Sequence, residues 1–249
     1  MEYLDVAIVI LAAGRGTRMK SDQPKVLHQI NSKCMITYVA ECAEKVVGKN
    51  IHIVVGYQAQ KVKDEIDKHF NVIYSFQENM FGTGDAVKVA LQGLSDSTKT
   101  VLVLNGDVPF VKEQTLVSLI KTHLENQNVV TLLTVEIDDP SGYGRVLQND
   151  TGGIICIKEE ADATLEEKKI KKVNSGIYCF SKDFLEYAIP KIEPDNVQKE
   201  YYLTDVIEIA INKGAKTGMQ SVENWSEVVG INTLADLEKA EALFKDIEL

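Results

Sequence analysis

The sequence predicts an α/β fold with a doubly wound, mainly parallel sheet and a smaller antiparallel lobe. Three observations predict it. Val6 to Leu11 is an unbroken apolar run of mostly β-branched residues, the pattern of a strand buried on both faces of a parallel sheet. Strand-like runs and helical periods then alternate as far as Val101, the rhythm of βαβ units. From Pro140 the style changes to short segments joined by glycine turns, as antiparallel pairing requires.

The first strand ends abruptly. Ala12, Ala13, Gly14 and Gly16 are small enough for backbone to approach a ligand, and amides in such a turn can donate to anionic oxygens. Arg15, Arg18, Lys20 and Lys25 crowd positive charge beside this loop, so a phosphate-bearing ligand suits it. Two common phosphate loops are excluded by spacing. A Walker loop needs Gly-Lys-Ser/Thr after four intervening residues, and a dinucleotide fingerprint needs a third glycine, where this chain has Gly-Arg-Gly-Thr-Arg.

Met35 to Val47 has helical spacing, and Ile51 to Gly56 reads as a second buried strand. Val62 to Phe70 is expected to be helical, with Val62, Ile66 and Phe70 on one face, and Val72 to Ser75 to be a short third strand. In Gly82-Thr83-Gly84 a second amide-rich loop precedes a helix expected from Asp85 to about Leu94; taken alone it is an ordinary helix start. Val101 begins a strand that runs into Asn105-Gly106-Asp107, with Pro109 ending it. An acid at a strand's carboxyl end sits where Mg²⁺ can be shared with phosphate oxygens, although a turn aspartate capping local amides has the same local sequence. Thr131 to Ile137 is a further strand, and Pro140 to Val146 opens a hairpin turning at Gly152-Gly153. Glu166 to Lys172 is a solvated charge run. Glu200 to Asp205 leads into a helix ending near Lys213-Gly214, Trp225 is expected to pack, and Asn232 stands at a cap-like position before the last helix, Leu234 to Ile247.

Composition narrows the class. With 249 residues and 45% hydrophobic content the chain can bury a full core. A net charge of −10 argues against a nucleic-acid surface, yet a small anion needs only the local cations near Gly14. No run of about 18 apolar residues suggests a membrane span, and the start of the chain shows no leader, so a cytoplasmic protein is expected. Cys34, Cys42, Cys156 and Cys179 form no metal or disulfide pattern and read as small apolar fillers.

Leu11-Ala-Ala-Gly-Arg-Gly-Thr-Arg-Met19 followed by Pro24-Lys-Val-Leu27 resembles the signature of the sugar-1-phosphate nucleotidylyltransferases. In this wording it is most similar to the uridylyltransferase domains of that family that act on N-acetylglucosamine 1-phosphate. The resemblance implies a Rossmann-like nucleotidylyltransferase domain over residues 1–249, with a nucleotide-binding half to about residue 138, a sugar-binding half over about 139–227, and a metal ligand with the last helix beyond. The implied reaction joins UTP and N-acetylglucosamine 1-phosphate to give UDP-N-acetylglucosamine, a peptidoglycan precursor used in cell-wall biogenesis, and pyrophosphate.

Site residues follow from the same resemblance. Leu11, Ala12, Ala13 and Gly14 would bind the nucleotide through backbone, Arg18 would hold pyrophosphate, and Lys25 would stabilise charge on the reacting phosphates. Gln77, Gly82 and Thr83 would read uracil. Asp107 and Asn232 would hold Mg²⁺, the implied cofactor. Gly144, Glu159 and Asn174 would grip the sugar, with Asn105, Gly106, Tyr202 and Thr204 on the same side. Three departures stand out. Asn105 replaces an aromatic or small residue common in the family, Glu160-Ala161 stands where a basic pair is usual, and the hexapeptide-repeat acetyltransferase domain of bifunctional members is absent from this sequence. The rivals are a nucleotidylyltransferase for another sugar or base and a catalytically idle nucleotide-sugar sensor. Expected partners are the two substrates, with no nucleic acid or membrane; the oligomeric state stays open, a monomer included.

Overall fold

In the computed structural model, which describes residues 3–247 and side chains through residue 244, β1 (Val6–Ala12) crosses the middle of a mixed sheet. Its side chains alternate between two cores: Val6, Ile8, Ile10 and Ala12 join one, Ala7 and Val9 the other. Both faces are therefore buried, which is why the sequence shows a continuous apolar run and not an alternating one. A small hairpin of β2 (Gln29–Ile30) and β3 (Lys33–Cys34) leads into α1 (Met35–Val47) and back to β4 (Ile51–Val55), parallel to β1. α2 (Ala59–Ile66) connects to β5 (Ile73–Phe76) at the sheet edge. The chain then recrosses through α3 (Thr83–Leu91) to β6 (Thr100–Asn105), parallel to β1 on its other side. The strand order turns at β1, and the crevice at that end of the sheet is where α/β proteins gather ligands.

Beyond β6 come α4 (Glu113–Glu125), β7 (Val130–Glu136), the hairpin of β8 (Arg145–Gln148) and β9 (Ile154–Lys158), and β10 (Lys172–Ser181). α5 (Lys182–Ala188), α6 (Asp205–Asn212), β11 (Thr217–Val222) and α7 (Leu234–Ile247) complete the described chain. The strand order is β11-β7-β10-β6-β1-β4-β5. β10 runs antiparallel to both β6 and β7, so its first residues lie beside the last residues of its neighbours. Its pairing with β7 shifts between Asn174 and Tyr178, a bulge that re-aims side chains at the ligand end. Apolar residues of α1, α2 and α4 pack on one face of the sheet and those of α3, α5 and α6 on the other, which is the doubly wound arrangement.

Several boundaries differ from the sequence reading. α2 begins at Ala59, because Gln58 adopts a left-handed conformation (φ 49°) that turns the chain into the helix. It ends at Ile66; the amides of His69 and Phe70 fold back on the Ile66 carbonyl, so Phe70 reaches the core from a turn. α3 begins at Thr83, two residues before the expected start. β10, α4, α5 and β11 are absent from the sequence reading. The polar Asn174-Ser175-Gly176 at the bulge hides the apolar period of β10. Trp225 does not pack as expected but lies on a short 3₁₀ turn, 48% exposed. All four cysteine thiols are buried and unpaired, in keeping with filler roles. Among the described residues no helix is long and apolar enough to cross a membrane.

Candidate active site

The glycine loop leaves β1 where the sheet order turns, and three features fix it. Gly16 takes φ 69°, and a Cβ there would lie 2.5 Å from Lys25 Cβ, so only glycine lets the Pro24–Leu27 segment pass underneath. Met19 is buried and anchors the 3₁₀ turn Thr17–Met19. Tyr57 donates its amide to the Ala13 carbonyl (2.9 Å), and the Gln58 side chain donates to the Asp22 carbonyl (2.7 Å). Gly14, by contrast, opens onto free space, with nothing within 4 Å of where a Cβ would stand. Of the four cations near the loop, Arg18 and Lys25 face the crevice, while the Arg15 guanidinium lies 5.3 Å from the Tyr57 ring centroid and Lys20 is exposed.

The end of β6 meets this loop. The Gly106 amide donates to the Leu11 carbonyl (3.0 Å), and its missing side chain admits Val26, so Gly106 acts through backbone packing. Asp107 follows it and forms an ion pair with Lys25 Nζ. The same ammonium donates to Asn232 Oδ1 (3.0 Å), which also accepts from Arg18 Nη2 (2.8 Å). Asn232 is not the cap of α7. Asp236 Oδ2 accepts from the amides of Asn232 and Thr233 (3.1 and 2.9 Å), and the Asp236 amide donates to Thr233 Oγ1 (3.1 Å). That box supplies the helix start, and the Asn232 amide nitrogen donates to the Gly230 carbonyl (3.1 Å), turning Oδ1 toward Lys25. A backbone bond from Ile231 to the Asp107 carbonyl (3.0 Å) ties this segment to β6. Residues 214 positions apart thus meet at one point.

Two adjoining cavities of about 250 and 320 Å³ share Leu11, Lys25, Thr83, Asn105 and Asp107 on their walls. Their combined size suits a small-molecule site. In the first, Leu11, Ala12, Ala13 and Gly14 face Gln77, Gly82 and Thr83. Gln77, 4% exposed, donates to Asp85 Oδ2 (2.8 Å) and the Gly82 carbonyl (3.1 Å), which fixes the orientation of its amide. Gly82 (φ 114°) and Gly84 pack against Tyr201, and a Cβ on Gly82 would lie 2.6 Å from the Tyr201 carbonyl oxygen. The Thr83 hydroxyl accepts from the Leu203 amide (3.0 Å). This loop is therefore braced by the segment that borders the second cavity.

The second cavity is walled by Gly144, Glu159, Asn174, Thr204 and Asn105. Gly144 is bare because a Cβ would press on Ile157 (3.0 Å) and the Glu159 carboxylate (3.3 Å). Burial raises the Glu159 pKa; the nearby Asp205 and Asp162 charges add to the rise, against Thr204 and Arg145, which lower it. Asn174 Oδ1 accepts from the Gly176 amide (2.8 Å), and Asn105 Nδ2 donates to the Gly176 carbonyl (3.3 Å). Tyr202 is buried beside this wall but does not line it, and its hydroxyl donates to Gln198 Oε1 (2.6 Å). Glu160, one of the departures that stand out in the sequence, does not line the cavity. It pairs with Arg145 (2.7 Å) and Lys168 (3.3 Å) and accepts from the Gly142 amide (3.2 Å), bracing the loop before β8. Tyr143 and Tyr178 also line the second cavity without any sequence signal, since an aromatic in a turn or a strand reads as packing; Glu200, in the passage that the family resemblance puts on the sugar side, lines the first cavity instead.

A family model described as nucleotidyl transferase matches residues 7–242. The bifunctional protein GlmU of Geotalea uraniireducens is 42% identical over 241 residues, covering 97% of this chain and 53% of that protein. GlmU of Clostridioides difficile is 39% identical over 237 residues, covering 95% and 51%. The chain spans about half the length of the curated relatives it matches. Among solved structures, one described as a glucose-1-phosphate thymidylyltransferase of Bacillus anthracis superposes with a TM-score of 0.78 at 20% identity, covering 97% of this chain and 96% of that one. A CMP:2-keto-3-deoxy-manno-octonic acid synthetase complexed with CTP gives 0.74 at 21% identity, covering 98% and 100%. At these identities the two structures speak for the fold.

Proposed function

The chain belongs to the nucleotidyl transferase family, and from that premise we propose that it transfers UMP from UTP to N-acetylglucosamine 1-phosphate, releasing pyrophosphate. The observation that carries this reading is the meeting of Lys25, Arg18, Asp107 and Asn232 at the junction of two cavities, one bordered by the glycine loop and Gln77, the other by Glu159, Asn174 and Thr204. Two substrates held in the two cavities would bring their phosphates together at that junction.

The bond that forms joins an oxygen of the sugar phosphate to the α-phosphorus of UTP. The bond that breaks is the one from that phosphorus to its β-bridging oxygen, and pyrophosphate departs with the electron pair. The attacking oxygen is already anionic, so no general base is needed, and catalysis consists of alignment and charge stabilisation. Lys25 and Arg18 supply positive charge at the transferred and leaving phosphates. The fixed Gln77 amide and the Gly82–Thr83 backbone match the edge of uracil.

The residues present fit a divalent cation. Asp107 and Asn232 share one ammonium group, so their oxygens lie within reach of a single positive centre, and carboxylate and amide oxygens are the hard donors that Mg²⁺ prefers. Among the described residues no group of three His, Cys, Asp or Glu side chains converges on a metal position, so phosphate oxygens would complete the coordination. When bound, Mg²⁺ would neutralise phosphate charge. Such chemistry would draw on nucleotide pools in the cytoplasm and feed cell-wall synthesis. The test is pyrophosphate release over a panel of nucleoside triphosphates and sugar 1-phosphates. Turnover highest with UTP and N-acetylglucosamine 1-phosphate is expected. A preference for another pair would reassign the substrates, and no release with any pair alongside UDP-sugar binding would mark the chain as a sensor.

A further inference from the structure

β10 carries one residue to the second cavity that the sequence marks as core. Tyr178 is 2% exposed, paired in register between Val103 of β6 and Leu132 of β7, and its ring stacks on Phe180 with centroids 5.4 Å apart and an interplanar angle of 20°. Its hydroxyl is the exception to this apolar setting. The Asn174 side chain faces it and can only donate to the phenol oxygen, since the Asn174 oxygen is engaged by the Gly176 amide, so the phenol proton finds no acceptor among the described residues. Leaving a buried hydroxyl unpaired is destabilising, and Phe180 shows that this ring pair can be built without one. Thr204 Oγ1, on the same wall, is also buried; it stands toward the Glu159 carboxylate without completing a hydrogen bond within normal geometry.

Two buried hydroxyls, a desolvated carboxylate on Glu159 and the Asn174 amide therefore surround one cavity. Burial holds the phenol pKa well above its ordinary value, so the hydroxyl keeps its proton and serves as a donor. A ligand rich in hydroxyl and acetamido oxygens would satisfy such a wall. We propose that Tyr178 is a substrate-contact residue whose hydroxyl donates a hydrogen bond to a polar substituent of the sugar ring. The proposal rests on the reading of the second cavity as the sugar site.

Tyr178→Phe removes the hydroxyl and keeps the ring. The variant and the wild type are compared in steady-state kinetics and in thermal melts without ligand. The Michaelis constant for the sugar 1-phosphate should rise about tenfold, that for UTP should change less than about twofold, and the ligand-free melting temperature should stay level or rise, since an unpaired buried hydroxyl is lost. An unchanged sugar constant overturns the proposal, as does a lower melting temperature with both constants moving together, which would mean the hydroxyl serves the fold. A wild type inactive with every sugar 1-phosphate overturns the underlying reading and this proposal with it. An active wild type beside an indifferent Tyr178→Phe overturns this proposal alone.

Discussion

Asp107 is the residue on which the proposed chemistry converges, because its carboxylate, the Lys25 ammonium and the Asn232 amide oxygen meet across three separate segments. Asp107→Ala should lower kcat/KM by at least about 100-fold, and wild-type turnover of this variant at limiting Mg²⁺ would refute the metal assignment. Lys25→Ala should reduce kcat by a similar factor, and unchanged kcat and KM would remove it from the mechanism. Gln77 offers a test of a different kind. Gln77→Glu would set a second carboxylate beside Asp85 in a buried position, and the loss of folding stability should be about 2–4 kcal/mol by denaturant unfolding. An unchanged midpoint would show that Asp85 does not hold the amide. Lys25 and Asp107 can be singled out in the sequence only by context, because a strand-end acid also reads as a turn cap until a phosphate-type loop and its cations are seen one strand away. Tyr143, in the turn before β8, and Tyr178, in β10, cannot be, since nothing in the composition of either segment says that its aromatic ends at a cavity.

At the scale of elements, β1, α1 and β4 are readable from their apolar periods because each buries a complete face or both faces. β10 is obscured by Asn174-Ser175-Gly176, yet that polar interruption forms the bulge that brings Asn174 to the wall of the second cavity. α3 starts two residues before its local sequence predicts because the Gly82 conformation depends on Tyr201, a contact more than a hundred residues away in sequence. Gly82→Ala should therefore destabilise the protein by about 1–3 kcal/mol, from an unfavourable φ and contact with the Tyr201 carbonyl, and should raise the KM for UTP. Stability and UTP binding both equal to wild type would show that the loop is free to relax away from Tyr201.

For the molecule as a whole, buried titratable groups shape the response to pH. His123 is 2% exposed and its pKa is lowered to about 4 by burial, and His52 is lowered by the same cause. A folded-state value below the unfolded 6.5 means that the unfolded chain binds the proton more tightly. The contribution is intact above pH 6.5 and is lost as pH falls toward 4. Asp205 works in the opposite sense. Burial, then the charge of Glu208, pushes it up to about 6, so its ionisation penalises the fold at neutral pH and is relieved as pH falls below 6. The test is accordingly differential: between pH 7 and pH 5 the wild type should lose about 2 kcal/mol more stability than His123→Gln. Identical pH profiles would show that the His123 ring is protonated as easily in the fold as in the unfolded chain.

The reversed direction of β10 has a consequence for the inheritance of this site under insertion and deletion. Ser175 Oγ donates to the Leu133 carbonyl (2.7 Å) and clasps the bulge to the neighbouring strand. Removing one residue between Asn174 and Tyr178 would turn the remainder of the strand over, presenting Cys179 where the phenol had been. The protein so altered would keep the cavity beside the glycine loop and lose one wall of its neighbour.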